Sequence, residues 1–429
     1  MQHTTDTIVA LATARGRAGV AVVRVSGAAA FAVCHAICGP VPPPRKAVLR
    51  DLRDAAGALI DTALVLAFPA PASFTGEPVV EFHTHGSQPV VSALLRACLA
   101  VPGIRAAEAG EFTRRAFHAG KMDLTQVEAL ADLLDAETEA QRRQAMQVLE
   151  GTTGRVVAGW REDLLDALAL CEASVDFADE DVPTDLAPQA VSGIVALRGE
   201  IHQQLAGRDN AERIREGFEV AIIGAVNAGK STLLNALAGR EAAITSERAG
   251  TTRDVIEVRM DISGLPVTLI DTAGLRDTED EIERIGIERG QARARNADLR
   301  IYLKADPQDS AQTQSAEDLV VLSKADLWHQ PGISAVTGAG LSQLLAQIEA
   351  RLIDRLSGSA LFSRARHFDK LQRAADHLHR AEDALTGPPH WEIAAEELRL
   401  ALRALDGLVG RVDVEDVLGR IFSSFCIGK

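Results

Sequence analysis

The residues best suited to chemistry in this 429-residue chain lie near its middle. Gly224-Ala225-Val226-Asn227-Ala228-Gly229-Lys230-Ser231 fits the spacing GxxxxGK[ST]. An apolar run, Phe218–Ile223, leads into it and helix-forming Thr232–Ala238 leads out, the strand–loop–helix context the spacing requires. Glycines let backbone N–H groups turn toward a phosphate, and a helix N-terminus adds a favourable dipole. Lys230 suits the β- and γ-phosphates of a nucleotide, and the Ser231 hydroxyl suits Mg²⁺.

Two further elements follow in the expected order. Thr251-Thr252-Arg253-Asp254 offers a hydroxyl, Thr252, able to complete the Mg²⁺ shell. Val255–Ile262 and Pro266–Ile270, joined through Ser263-Gly264, read as a β-hairpin delivering Asp271-Thr272-Ala273-Gly274 to the phosphates. There the Gly274 N–H would sense a γ-phosphate, and its loss would free the loop. The strand Leu319–Leu322 then leads into Ser323-Lys324-Ala325-Asp326. The Asp326 carboxylate accepts two hydrogen bonds from a guanine edge, whereas adenine leaves it unpaired at a cost of about 1–3 kcal/mol. GTP is therefore the expected nucleotide, and Ser334-Ala335-Val336 fits a last base-contacting loop. Ser323 stands where GTPases usually carry Asn, so weaker binding with guanine preference kept is expected. Leu275 occupies the position of the water-orienting Gln of Ras-like enzymes, and no arginine finger is visible. Hydrolysis is either slow or served by another source of charge.

These motifs need a scaffold. Thr7–Ala12, Val20–Val25, Val48–Leu52, Leu59–Phe68 and Val79–His83 read as strands, with helices over Ala28–Ile37 and Pro89–Leu99, an α+β region. From Lys121 the pattern turns helical as far as Phe177, with Thr125-Gln126-Val127-Glu128 fitting a capping box. A helix from Pro188 to Gly207 follows. Glu219 to Leu356 alternates buried strands with helices, and helices return with His367–Leu385 and Ile393–Val409. The expected fold is multidomain: an α+β N-terminal domain over 1–120, an all-α helical domain in two parts, 121–216 and 357–429, and an inserted Ras-like α/β P-loop domain over 217–356. The two helical parts should pack together, since neither alone offers a closed core.

Composition agrees with a globular chain: 47% hydrophobic, 24% charged. No apolar run reaches the ~18–20 residues that span a bilayer, and no secretory signal is visible, so a cytoplasmic protein is expected. Five scattered cysteines argue against a disulfide framework, and Cys34 and Cys38 read as packed residues. His83-Thr84-His85 is a poor metal site, because alternate strand residues face opposite ways and no further ligand cluster completes it. Forty-five Lys and Arg against 60 Asp and Glu give a net charge of −15, so any RNA contact should use a local patch or a partner.

The chain resembles the bacterial tRNA modification GTPase family MnmE (TrmE) from end to end. The strings that carry the resemblance are Asp6–Gly27, Ser73-Phe74-Thr75-Gly76-Glu77, Gly110–Ala131, the nucleotide motifs, Glu281–Glu288 and the terminal Phe425-Cys426-Ile427-Gly428-Lys429. The resemblance implies a homodimer whose missing charge comes from K⁺, held by Asn227 and by a loop running through Ser246, Glu247, Arg248, Ala249, Gly250 and Thr251. A fixed cation there does what an arginine finger does, worth about 10³–10⁵ in rate. It also implies Glu283 as the carboxylate that positions water, although on the residues alone Glu283 reads as a solvated helix-end charge. The N-terminal domain resembles folate-binding domains, which places 5-formyltetrahydrofolate or a related folate on Arg24, Glu81, Lys121 and Lys429. Cys426 is implied as a needed thiol near that site, with a buried structural cysteine as the rival reading. Thr13-Ala14-Arg15-Gly16-Arg17-Ala18-Gly19 departs from the family's usual proline- and glycine-rich loop. The implied partner is an FAD protein of the MnmG (GidA) type, and the implied product a carboxymethylaminomethyl-type group on C5 of wobble uridine in tRNA. Two other readings stay open on sequence: a ribosome-assembly or RNA-binding GTPase, and a GTP-binding scaffold without efficient turnover.

Overall fold

The computed structural model describes residues 6–176, 186–240, 243–244, 257–271, 292–309, 318–356, 361–412, 418–419, 421–422, 425 and 428. The chain divides into two compact units, Met1–Ala131 with Asp406–Lys429, and Asp132–Leu405.

In the first unit, β-branched residues at alternate positions make strands with one face inward. The strands are β1 (Thr7–Leu11), β2 (Ala18–Ser26), β3 (Val48–Arg53), β4 (Leu59–Phe68), β5 (Val79–Gly86) and β6 (Ile104–Ala106). They form one sheet in the order β3-β4-β5-β2-β1-β6, antiparallel except for β1 beside β6. Val23, Val25 and Phe82 point to one face, where α1 (Ala30–Cys38) and α2 (Gln88–Leu99) cover them with Val33 and Leu94. Arg24 and Glu81, one residue out of phase, face the other way and stand opposite each other in the β2–β5 register. Ile8, Ala10 and Ala107 meet Phe112 of α3 (Glu111–His118) in a second, smaller apolar cluster. This is the expected α+β arrangement, with α3 and the short β6 added to the sequence reading. Burial holds the Cys98 thiol up at about 12, a protonated, packed residue.

The capping box lies two residues earlier than the sequence suggested. Asp123 Oδ1 accepts from Gln126 N at 2.9 Å, and Gln126 Oε1 accepts from Asp123 N at 3.0 Å. The helix α4 accordingly spans Leu124–Asp135. Asp caps better than Thr, and an earlier start buries Leu124 completely. A second box, which the sequence reading passed over, has Thr138 N donating to Gln141 Oε1 at 3.1 Å and opens α5 (Glu139–Leu149). The helical run beyond Lys121 is therefore three helices, α4, α5 and α6 (Thr152–Asp176), rather than one.

In the second unit, α7 (Leu186–Ala206) and α8 (Arg208–Glu216) precede a five-stranded sheet. Its strands are β7 (Phe218–Ile223), β8 (Glu257–Ile262), β9 (Leu265–Asp271), β10 (Leu299–Lys304) and β11 (Leu319–Leu322), in the order β11-β10-β7-β9-β8. Only the edge strand β8 is antiparallel to its neighbour. The buried strands are near-continuous runs of Val, Ile and Leu, and α9 (Lys230–Ala238) and α11 (Leu341–Arg355) pack Leu233, Leu237, Leu344 and Ile348 into the same core. Between them lies the single turn α10 (Ala325–Trp328). After the sheet come α12 (Ala365–Leu385) and α13 (Trp391–Val409). Helices from both sides of the insertion do pack together. Arg198 of α7 pairs with Glu382 of α12 at 2.6 Å, and Trp160 of α6 stacks on Phe362, centroids 5.9 Å apart.

Candidate nucleotide-binding site

Strand β7 ends at Ile223, inside the sheet, so the loop 224–229 leaves from the carboxyl end of a parallel strand, where open α/β sheets bind ligands. Gly224 has φ +146°, and a β-carbon there would lie 2.4 Å from the Leu303 carbonyl oxygen. No other residue fits so close to β10. Asn227 (φ 64°) and Gly229 (φ 94°) complete the turn, and Ala228 is fully buried beneath it.

Lys230 opens α9 and is only 7% exposed. Its Nζ donates to the Gly224 and Ala225 carbonyl oxygens at 2.8 and 2.9 Å, which lays the ammonium along the loop. Burial lowers the pKa of Lys230, and the nearby Asp271 carboxylate opposes that shift. Ser231 Oγ donates to Asp271 Oδ2 at 2.5 Å, so the end of β9 and the start of α9 bring two oxygens together beside the ammonium. Oxygen donors of this kind suit a hard cation such as Mg²⁺. Thr232, the next residue, is exposed.

The base loops come from β11 and the segment after α10. Lys324 has φ 55°, and its Nζ donates to the Asn227 carbonyl at 2.9 Å, tying the two loops together. Ser323 turns away from them: it is 4% exposed, and its Oγ donates to the Lys304 carbonyl at 2.8 Å, bracing β11 against β10. Ala325 N donates to the Ile333 carbonyl at 3.0 Å, and Asp326 beside it is exposed. Ser334 is buried and accepts from Thr337 N at 3.2 Å, while Val336 is 84% exposed. Replacing Ser323 by Ala should therefore cost about 1 kcal/mol of stability, the net worth of one hydrogen bond, with nucleotide affinity changed less than threefold. Thermal melts and nucleotide titrations of that variant check both numbers.

Ser246, Glu247, Arg248, Ala249, Gly250, Thr251, Thr252, Thr272, Ala273, Gly274, Glu283, Cys426 and Lys429 lie outside the described residues. The chain just ahead of Ser246 is anchored, with Ile244 N donating to the Arg259 carbonyl at 2.8 Å.

Of the N-terminal residues singled out from sequence, Arg24 and Glu81 meet. Arg24 Nε donates to Glu81 Oε1 at 2.9 Å, and its guanidinium lies 5.5 Å from the Phe74 ring centroid and 5.6 Å from that of Phe112. Lys121 passes close to Gly76, where an added β-carbon would sit 3.5 Å from its Cε. His83 and His85 are engaged with carboxylates, Glu81 at 3.3 Å and Asp61 at 2.8 Å, and Thr84 between them is buried on the opposite face. Gly428 packs on the end of β1, since a β-carbon there would overlap the Leu11 carbonyl. The sequence reading missed Arg105, Glu111 and Arg115, whose partners lie as far off as Asp6 and appear in no local spacing.

Residues 7–121 match the family described as the GTP-binding protein TrmE N-terminus, and residues 124–426 match the MnmE helical domain. The tRNA modification GTPase MnmE of Roseobacter denitrificans is 56% identical, the match covering 99% of this chain and all of that one. That of Cereibacter sphaeroides is also 56% identical, over the same share of both chains. The chain belongs to the MnmE family of tRNA modification GTPases. The G domain of the T. maritima FeoB iron transporter is 24% identical, covering 31% of this chain and 98% of that one, with a TM-score of 0.24. Membership in the MnmE family makes the chain a GTPase. Among the described residues, no helix is long and apolar enough to cross a membrane.

Proposed function

We propose that this chain is a homodimeric, potassium-stimulated GTPase of the cytoplasm, activated when two GTPase domains meet. With an FAD-dependent partner of the MnmG (GidA) type, it adds a carboxymethylaminomethyl-type group to C5 of wobble uridine in tRNA. The observation that carries the GTPase half is the meeting of Lys230, Ser231 and Asp271 at the carboxyl end of β7 and β9. Family membership carries the tRNA half. The net charge of −15 fits a division in which the partner makes much of the tRNA contact.

In this reading the N–H groups of Asn227, Ala228, Gly229, Lys230, Ser231 and Thr232 surround the phosphates, and Lys230 moves its ammonium from the loop carbonyls to the β- and γ-oxygens. Ser231 and Thr232 open the helix under the phosphates, and Ser231 with Thr252 holds Mg²⁺. Asp271, Thr272, Ala273 and Gly274 sense the γ-phosphate. Asp326 reads the guanine edge, flanked by Ser323, Lys324, Ala325, Ser334, Ala335 and Val336. Glu283 positions the attacking water, the task Leu275 is chemically unable to perform. Asn227, Ser246, Arg248 and Thr251 hold K⁺, with Glu247, Ala249 and Gly250 completing that loop. With the Asn227 carbonyl taken by Lys324, its exposed side-chain amide oxygen is the donor left for the ion. A bound monovalent cation supplies the positive charge that an arginine finger supplies elsewhere.

In the N-terminal domain, Arg24, Lys121 and Lys429 suit the glutamate tail of a folate, Glu81 suits the pterin N–H edge, and Cys426 supplies a thiol nearby. The folate would be the one-carbon donor.

GTP hydrolysis should run at least tenfold faster in KCl than in NaCl at equal ionic strength. Asn227→Ala should erase most of that difference while GTP still binds. Equal rates in both salts for the unaltered protein contradict the ion assignment.

A further inference from the structure

A knot of charged side chains lies next to the proposed folate residues without belonging to them. Arg115 on α3 is 8% exposed, and Glu111, one turn earlier, is 1% exposed. Arg115 Nη1 donates to both Glu77 carboxylate oxygens at 3.2 and 3.1 Å, and its Nη2 donates to Glu111 at 3.0 Å and Asp6 at 3.1 Å. Arg105 on β6 bridges the same Glu111 and Asp6. Ser26 Oγ donates to Glu77 Oε2 at 2.8 Å and lies 2.7 Å from Thr75 Oγ1. Ser73 Oγ donates to the Glu77 carbonyl at 2.5 Å.

Arg115 and Glu111 are the deeply buried pair among these, and a buried ion pair offers little net stability over apolar side chains of the same volume, so a different gain must account for it. The gain is geometric. Every bond to Glu77 fixes the loop 73–77, and that loop touches two of the proposed folate cations. Phe74 places its ring under the Arg24 guanidinium. Gly76, at φ +79°, lies against Ala119 and Lys121, where a β-carbon would come within 3.0 Å of the Ala119 side chain. Arg24 in turn sits between Phe74 and Phe112, and Phe112 comes from the same helix as Arg115. One rigid loop therefore sets both where Arg24 points and how far Lys121 stands from it.

We propose that Arg115 and Glu77 are positioning residues: the ion pair between buried Arg115 and half-buried Glu77 holds the loop 73–77 as a template that spaces Arg24 and Lys121 for an anionic, folate-like ligand. The proposal rests on the folate reading of Arg24, Glu81 and Lys121, and it adds the groups that make that constellation rigid. Glu77 and Arg115 need no contact with the ligand. Their effect passes through Phe74 and Gly76.

The test is calorimetric titration of full-length dimer with 5-formyltetrahydrofolate for the unaltered chain, Glu77→Gln, Glu77→Asp and Arg115→Lys. In a parallel set used for quenching alone, with Trp160, Trp328 and Trp391 replaced by Phe, Phe74→Trp is added to each as a reporter of loop position, read by acrylamide quenching. Glu77→Gln should weaken folate binding at least tenfold and raise quenching of the reporter indole, with the GTPase rate unchanged. Glu77→Asp, one methylene short, should do the same even where Glu77→Gln folds poorly. Arg115→Lys, which keeps one charged donor, should recover part of both readouts. A purely structural role predicts lower melting temperatures with folate affinity and quenching unmoved in the folded fraction, and that result overturns the proposal. No folate binding by the unaltered chain overturns the folate reading, and the proposal falls with it. Equal binding by the unaltered chain and Glu77→Gln overturns the proposal alone.

Discussion

Lys230→Ala should reduce single-turnover GTP hydrolysis by at least a thousandfold and weaken GTP binding more than GDP binding. Lys230 is the buried ammonium at the start of α9, already held by two carbonyls of the loop that would surround the phosphates. Charge developing on the β–γ bridge and γ-oxygens has no equivalent group to meet it once the amine is gone, and electrostatic stabilisation of this kind usually supplies the largest part of phosphoryl-transfer catalysis. Lys230→Arg should not rescue. The guanidinium is a planar fork, and it does not reproduce the approach of one ammonium to both the Gly224 and Ala225 carbonyls. The alkaline limb of kcat/KM, which reports the free protein, should fall earlier than an exposed lysine dictates, because burial lowers this pKa and Asp271 offsets only part of the shift. Rapid-quench measurements with excess protein check the rate, and nucleotide titrations check the binding. A variant within tenfold of the unaltered rate contradicts the assignment.

Asp326→Asn should change which base is bound. The carboxylate is exposed, at the first turn after Lys324, and Lys324 is fixed by its bond to Asn227. A carboxylate accepts from both guanine donors, N1–H and the exocyclic amine. An amide offers one acceptor and one donor, so one guanine N–H faces an N–H. Loss of a charge-assisted bond plus an unpaired donor costs roughly 3 kcal/mol or more, at least a hundredfold in GTP affinity. Xanthosine triphosphate carries a carbonyl where guanine carries the amine, and it should bind the variant better than GTP does. Competition of GTP, XTP and ATP against a fluorescent guanine nucleotide reads the order directly. GTP retained at full affinity would place guanine recognition elsewhere.

The nucleotide motifs were legible because each is short and sits in an element with its own local signal. Phe218–Ile223 is a run of apolar residues that reads as a buried strand, and it is β7. Leu319–Leu322 likewise matches β11. The hairpin spacing put Asp271 directly after the second strand, and it is the last residue of β9, hydrogen-bonded to Ser231. Errors arose where two local signals competed or where partners were distant in sequence. Thr125 and Glu128 form a plausible capping box, yet Asp123 and Gln126 form the observed one, because the stronger cap and the burial of Leu124 both favour the earlier start. Sequence alone reads Ser323 as a side chain that reaches less well toward the nucleotide than Asn. Its commitment to the Lys304 carbonyl was hidden, since only strand pairing brings β10 beside it. Arg115 could not be singled out: Asp6 is 109 positions away and Glu77 is 38, and nothing in its own helix announces either.

The GTPase and the tRNA chemistry meet in one measurement: mass analysis of wobble-position nucleosides in tRNA from a strain lacking this protein, supplied with either the unaltered chain or Lys230→Ala. The account predicts that C5-aminomethyl-type uridines vanish in the deletion, return with the unaltered chain and stay absent with Lys230→Ala. Modified uridines at normal levels in the deletion strain contradict it.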